Sequence, residues 1–154
     1  MFEIILVCLD GSKAAEQILD YISEDAALVG SKLVLLRVIS LPEITVPIQV
    51  PGVSGVPIST GATMKHMATK ENEATAYLEQ TAEQLRRKNL NVEYEVVPGT
   101  PGEAIVDYAQ ENGIKLIAIG THGHSAARRF FLGSTADYVL RHSNLPVLTI
   151  RPNI

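Results

Sequence analysis

The sequence predicts an α/β protein: an open, five-stranded parallel sheet in the order 3-2-1-4-5 with helices on both faces. Five short apolar runs bounded by turn residues recur along the chain, and stretches with a helical apolar period separate them. Three of the runs lack the apolar–polar alternation of a strand with one wet face, which argues for burial on both sides of a parallel sheet. Right-handed β-α-β crossovers then follow, and the winding places a topological switch between the first strand and the fourth.

The first run covers residues 4–9 and leads into Asp10-Gly11-Ser12. A helix follows, with Ala15, Ile18, Leu19, Ile22 and Ala26 at spacings of three and four, and Gly30 ends it. Asp10 is expected to serve as its N-terminal cap. The second strand covers residues 33–38. Residues 41–63 form an insertion rich in Pro, Gly, Val and Ile with the single charge Glu43, a flap or interface segment by composition.

A second helix is predicted from about His66 to Lys88, with Tyr77, Leu78, Thr81, Ala82 and Leu85 on one face. The third strand covers residues 92–97. Thr100-Pro101-Gly102-Glu103 reads as a capping box with Pro at the first helical position, and Ile105, Val106 and Ala109 supply the apolar face of a third helix that Asn112-Gly113 stops. The fourth strand covers residues 116–119. After Gly133-Ser134 a fourth helix should turn Ala136, Val139 and Leu140 inward and end at Ser143-Asn144, before a last strand at Val147–Ile150.

Length and composition suit this plan. The 154 residues make one domain, 1–154, with the insertion at about 41–63, and 46% hydrophobic against 19% charged residues is the balance of a packed globule. A formal net charge of −4 with no basic stripe argues against a nucleic-acid partner. No apolar run is long enough for a signal core or a bilayer span, so a cytoplasmic protein without membrane contact is expected. Cys8 stands alone inside the first apolar run, which leaves no intrachain disulfide and reads as a small core residue.

The stretch GTHGHSAARRFFLGSTA, residues 120–136, leaves the fourth strand beside the switch, and Asp10 leaves the first strand across from it. Ligands of wound α/β sheets bind at this place. Gly120, Gly123 and Gly133 permit positive φ and close approach to the backbone. Gly133-Ser134 opens a helix whose first amides and positive dipole end attract anions, and Ser134 and Thr135 add hydroxyls. Arg128 or Arg129 can supply the charge that a P-loop takes from lysine, although by default two adjacent arginines are a solvated pair. Asp10 can accept from a ribose hydroxyl or help to hold Mg²⁺.

Other chemistries have less support. A Walker P-loop, a G-x-G-x-x-G turn and a G-x-S-x-G elbow are all missing from the sequence. His122 and His124 have the spacing of a paired metal site but lack nearby carboxylates. His66 and His142 read as helix-surface residues.

The spacing Gly120-x2-Gly123-x9-Gly133-Ser134 resembles the G-2x-G-9x-G-[ST] motif of the universal stress protein family. The opening IILVCLDGS and the closing SNLPVL resemble that family's first strand with its acidic turn and its last helix-to-strand passage. The likeness covers essentially the whole chain, with the insertion at residues 41–63 its least family-like part. It implies the family's fold, Rossmann-like and similar to the adenine nucleotide alpha hydrolases, and membership of the ATP-binding group. By matching position, Asp10 would contact ribose or a phosphate-bound metal, and Val38 adenine. Gly120, Gly123, Gly133, Ser134 and Thr135 would surround ribose and phosphates. The resemblance further implies a homodimer paired through Val147–Ile150 and a nucleotide-dependent switch or sensor in a stress response. Two rivals stay open: a slow Mg²⁺-dependent ATPase or phosphoryl-transfer protein, and an interaction module for AMP, a cyclic nucleotide or no nucleotide.

Overall fold

The computed structural model describes residues 2–41, 61–121 and 132–153. Its elements run β1 (Ile4–Cys8), α1 (Lys13–Val29), β2 (Lys32–Ile39), α2 (Gly61–Arg86), β3 (Asn91–Pro98), α3 (Pro101–Glu111), β4 (Leu116–Gly120), α4 (Ser134–His142) and β5 (Val147–Ile150). The strands form one sheet in the order β3-β2-β1-β4-β5, and every pairing is parallel. The expected architecture is therefore the observed one.

Strand period explains the layers. Ile5, Val7, Leu33, Leu35 and Ala118 face α1 and α2, whereas Leu6, Cys8, Val34, Leu36, Ile117 and Ile119 face α3 and α4. Two apolar layers thus sandwich the sheet, and the three central strands are buried on both faces as their unbroken apolar runs require. β3, at one edge, has only Val92 buried and its other residues half-buried or exposed, and β5 occupies the other edge with all four residues half-buried. Cys8 is buried in the layer under α3 and α4, and burial pushes its thiol up to about 12. It is a core residue, as its apolar run suggested.

Four local expectations need correction. α1 is capped by Ser12, whose hydroxyl accepts from the Ala15 amide at 3.1 Å, while Asp10 Oδ1 accepts from the Ser12 amide at 2.9 Å. The cap thus lies two residues later than expected, because Gly11 in the left-handed region (φ 86°) turns the chain before the helix starts. α2 begins at Gly61, five residues before the predicted start; its first turns are exposed, so they carry no apolar period for the sequence to display. Thr100 is the N-cap of α3 but makes no side-chain capping bond, so the capping box supplies a boundary and not a bond. Leu140 of α4 is 41% exposed, because the buried stripe of this short helix is only Ala136 and Val139 wide.

Candidate functional site

The carboxyl ends of β1 and β4 adjoin, and a cavity of about 270 Å³ opens between them and the N-terminal turns of α3 and α4. Asp10, Val38, Gly120, Gly133, Ser134 and Thr135, six of the residues singled out in the sequence, all line it. They come from four separate stretches of chain that only the winding of the sheet brings together. Gly123, Arg128 and Arg129, and with them His122 and His124, lie outside the described residues.

Each wall has a local cause. The ladder carries β1 one residue past its last strand residue, since the Leu9 amide donates to Leu36 O at 2.9 Å. Asp10 then stands exposed at the rim, its carboxylate held toward the start of α1 by the Ser12 amide. Val38 and Leu36 share the α3/α4 face of β2 and give the cavity an apolar side. Opposite β2, Pro101 and Ile105 of α3 complete that side. These two were not singled out in the sequence as site residues, although the Thr100-Pro101 helix start after the end of β3 could have shown that α3 begins at this edge of the sheet.

The polar end is the start of α4. Gly133 is its N-cap, with φ −55° and ψ 155°, and offers no side chain to cap the first turn. The leading amides of α4 therefore gain no capping side chain, and they open beside a cavity, the arrangement in which a helix N-terminus receives an anion. The one acidic side chain in that turn, Asp137, is engaged by Arg141, whose Nε donates to both carboxylate oxygens at 2.9 and 3.0 Å.

The two motif glycines among the described residues have ordinary backbone conformations. Neither Gly120 nor Gly133 is in the left-handed region, which corrects that part of the expectation. Gly120 is buried at the end of β4, where a Cβ would meet Ala15 Cα of α1 at 3.6 Å and Pro152 Cγ at 4.0 Å. The next residue, Thr121, directs both its amide (2.8 Å) and its hydroxyl (3.1 Å) to Ile150 O, so the chain leaves β4 from a fixed point.

Among the described lining residues Asp10 carries the only ionised side chain. No group of three or more His, Cys, Asp or Glu able to hold a metal occurs among the described residues. The cavity thus combines an apolar slot, a carboxylate at the rim and a helix N-terminus with two hydroxyl residues.

The sequence profile of the universal stress protein family matches residues 1–151. The chain belongs to this family. Universal stress protein MJ0577 of Methanocaldococcus jannaschii is 30% identical over 155 residues, which cover 98% of this chain and 96% of that protein. The solved structure of MJ0577 superposes with a TM-score of 0.72 over 99% of this chain and 98% of its own, at 25% identity. Universal stress protein Slr1230 of Synechocystis is 31% identical over 147 residues, 96% of this chain but 42% of that longer protein. Two solved members share the fold at lower identity: a universal stress protein in complex with cAMP (TM-score 0.66, 21% identity, covering 97% of this chain and 96% of its own) and the Arabidopsis thaliana family protein At3g01520 with AMP bound (TM-score 0.65, 17% identity, covering 97% of this chain and 92% of its own). No helix among the described residues of this universal stress protein is long and apolar enough to cross a membrane.

Proposed function

We propose that this universal stress protein binds an adenine nucleotide, ATP with Mg²⁺, in the cavity between β1 and β4, and acts as a nucleotide-dependent switch or sensor in a stress response. The observation that carries the reading is convergence. Six residues assigned to nucleotide contact by the family resemblance, scattered from Asp10 to Thr135, line a single cavity of about 270 Å³, near the lower end of the ~300–1,000 Å³ usual for small-molecule sites.

The chemistry of the walls suits the parts of a nucleotide. The apolar slot of Val38, Leu36 and Ile105 takes the flat base, and Asp10 accepts from a ribose hydroxyl. The phosphates lie at the amides and hydroxyls of Gly133, Ser134 and Thr135. The first amides of α4 attract the phosphates, and in the same reading a divalent cation accompanies them, because it neutralises part of a polyphosphate's charge beside the Asp10 carboxylate. Mg²⁺ would supply that neutralisation, with Asp10 the carboxylate of the described lining that would help to hold it. In the same reading the protein is cytoplasmic and forms a homodimer through the exposed edge of β5.

A second reading, an AMP or cyclic-nucleotide module, is favoured by the family members solved with those ligands. Protein purified without added nucleotide, denatured and analysed by mass spectrometry distinguishes the two. Release of ATP, or tight Mg-ATP binding by the empty protein, is expected. Recovery of AMP or cAMP with no measurable Mg-ATP binding would replace the first reading with the second.

A further inference from the structure

Arg37 breaks a pattern. Along β2 the side chains on the α1/α2 face are Leu33 and Leu35, both fully buried, and the next position on that face is a half-buried arginine. Its guanidinium carbon lies 5.3 Å from the centroid of the Tyr77 ring of α2. It also lies against Gly11: a Cβ built there would lie 3.0 Å from Arg37 Nη1, 3.1 Å from Cζ and 3.1 Å from Nη2. Near-equal distances to these three atoms mean that the guanidinium plane faces the Gly11 backbone. The cation is therefore close to both an aromatic ring and the β1–α1 turn.

We propose that Arg37 is a positioning residue for Asp10: its guanidinium, packed against both Tyr77 and Gly11, fixes the turn that presents the Asp10 carboxylate to the ribose. The inference rests on the nucleotide reading above. Leu9, before Asp10, is fixed by its bond to Leu36 O, and Ser12, after it, is fixed as the cap of α1. Gly11 is the remaining joint, with φ 86°, and Arg37 packs against it. A planar cation suits this place because it can lie flat against the turn while staying near the face of a ring, which an ammonium does not. The charge also suits it, since a cation behind the turn supports an ionised carboxylate in front of it. Burial, then the charges of Glu16 and Asp10, push the Tyr77 hydroxyl above the usual tyrosine range while Arg37 opposes them, so these groups form one electrostatic cluster.

The test measures binding of Mg-ATP, 2′-deoxy-ATP and 3′-deoxy-ATP by calorimetry to wild type, Asp10→Ala, Arg37→Met, Arg37→Lys and Asp10→Ala/Arg37→Met. Asp10→Ala identifies the contacted hydroxyl: preference for ATP over one deoxy analogue, about tenfold in wild type, should vanish. Arg37→Met should lose the same preference with the fold retained, and the double variant should lose nothing more. Arg37→Lys should not restore it. Wild-type preference in Arg37→Met, or full rescue by lysine, would overturn the role of Arg37. No effect of Asp10→Ala on either analogue would instead remove the ribose assignment itself. Should Arg37→Met not fold, Tyr77→Leu removes the aromatic contact of Arg37 and is expected to narrow the preference; an unchanged preference there would overturn the proposal.

Discussion

Gly102 of α3 lies directly against the Tyr138 side chain of α4, where an added Cβ would stand 2.8 Å from Tyr138 Cβ, Cγ and Cδ1. The contact sets the approach of the two helices whose first turns wall the cavity. Because Tyr138 Cβ is itself one of the obstructing atoms, no rotamer of Tyr138 relieves the overlap. Gly102→Ala is expected to destabilise by about 1–2 kcal/mol, overpacking outweighing the better helix propensity of alanine. The same variant should weaken nucleotide binding by spreading α3 from α4. Urea denaturation and calorimetry check both, and Tyr138→Ala is expected not to restore the loss in Gly102→Ala.

Gly133→Val tests the anion end of the cavity. The backbone at Gly133 (φ −55°, ψ 155°) is open to valine, so the fold should hold. A branched side chain at the cap of α4 would stand where phosphates approach the amides. Mg-ATP affinity is expected to fall at least about tenfold, or about 1.4 kcal/mol. Unchanged affinity would take the phosphate site away from this helix.

Ser12→Ala removes the side chain that caps α1. Its bond to the Ala15 amide is 3.1 Å long and part-buried. The expected cost is about 1 kcal/mol, seen as a fall in Tm of about 2–4 °C. Because Ser12 keeps its amide in the variant, the bond to Asp10 Oδ1 remains available and nucleotide binding should change little.

Cys8 gives the stability a pH dependence on the alkaline side. Its thiol is pushed up to about 12 in the fold from an ordinary 9.0, by burial. Above pH 9 the unfolded chain releases this proton while the native chain keeps it, so the contribution is complete below pH 9 and declines as pH rises toward 12. The slope from this group is about −1.4 kcal/mol per pH unit in that window. Denaturation of wild type and Cys8→Ala at pH 8 and pH 10 should show the gap between them shrinking at the higher pH. A thiol reagent should also leave native Cys8 unmodified at pH 8.

Much of the site was legible because its residues are backbone devices. Asp10, Gly120 and Gly133 stand where strands end and helices begin, and turn residues announce such places in a sequence. Val38 was placed at the site only by matching position with the family resemblance; in the structure it shares the face of Leu36. Pro101 and Ile105 were legible as parts of a helix but not as walls of the cavity. Their membership depends on how closely α3 approaches α4, and that distance is set by the contact of Gly102 with Tyr138. The N-cap was misplaced from Ser12 to Asp10 for a related reason: both residues are good caps, and only the left-handed turn at Gly11 decides between them.

Arg37 marks the limit of the sequence most plainly. In the run LVLLRVI it reads as a charge that interrupts an apolar strand, with no indication of what it meets. Its two neighbours, Gly11 and Tyr77, lie far away in the chain, and packing of α1 and α2 on one sheet face brings them to it. The sequence by itself determined the strands, the helices, their order in the sheet and the end of the sheet at which a ligand would sit, because apolar period and turn chemistry are local and strand winding has a fixed hand. The tertiary structure alone decided which helix first turns close the cavity, which glycine is required by a neighbour and which arginine supports the acidic turn. Those outcomes depend on distances between side chains that are remote in sequence, and periodicity carries no information about such distances.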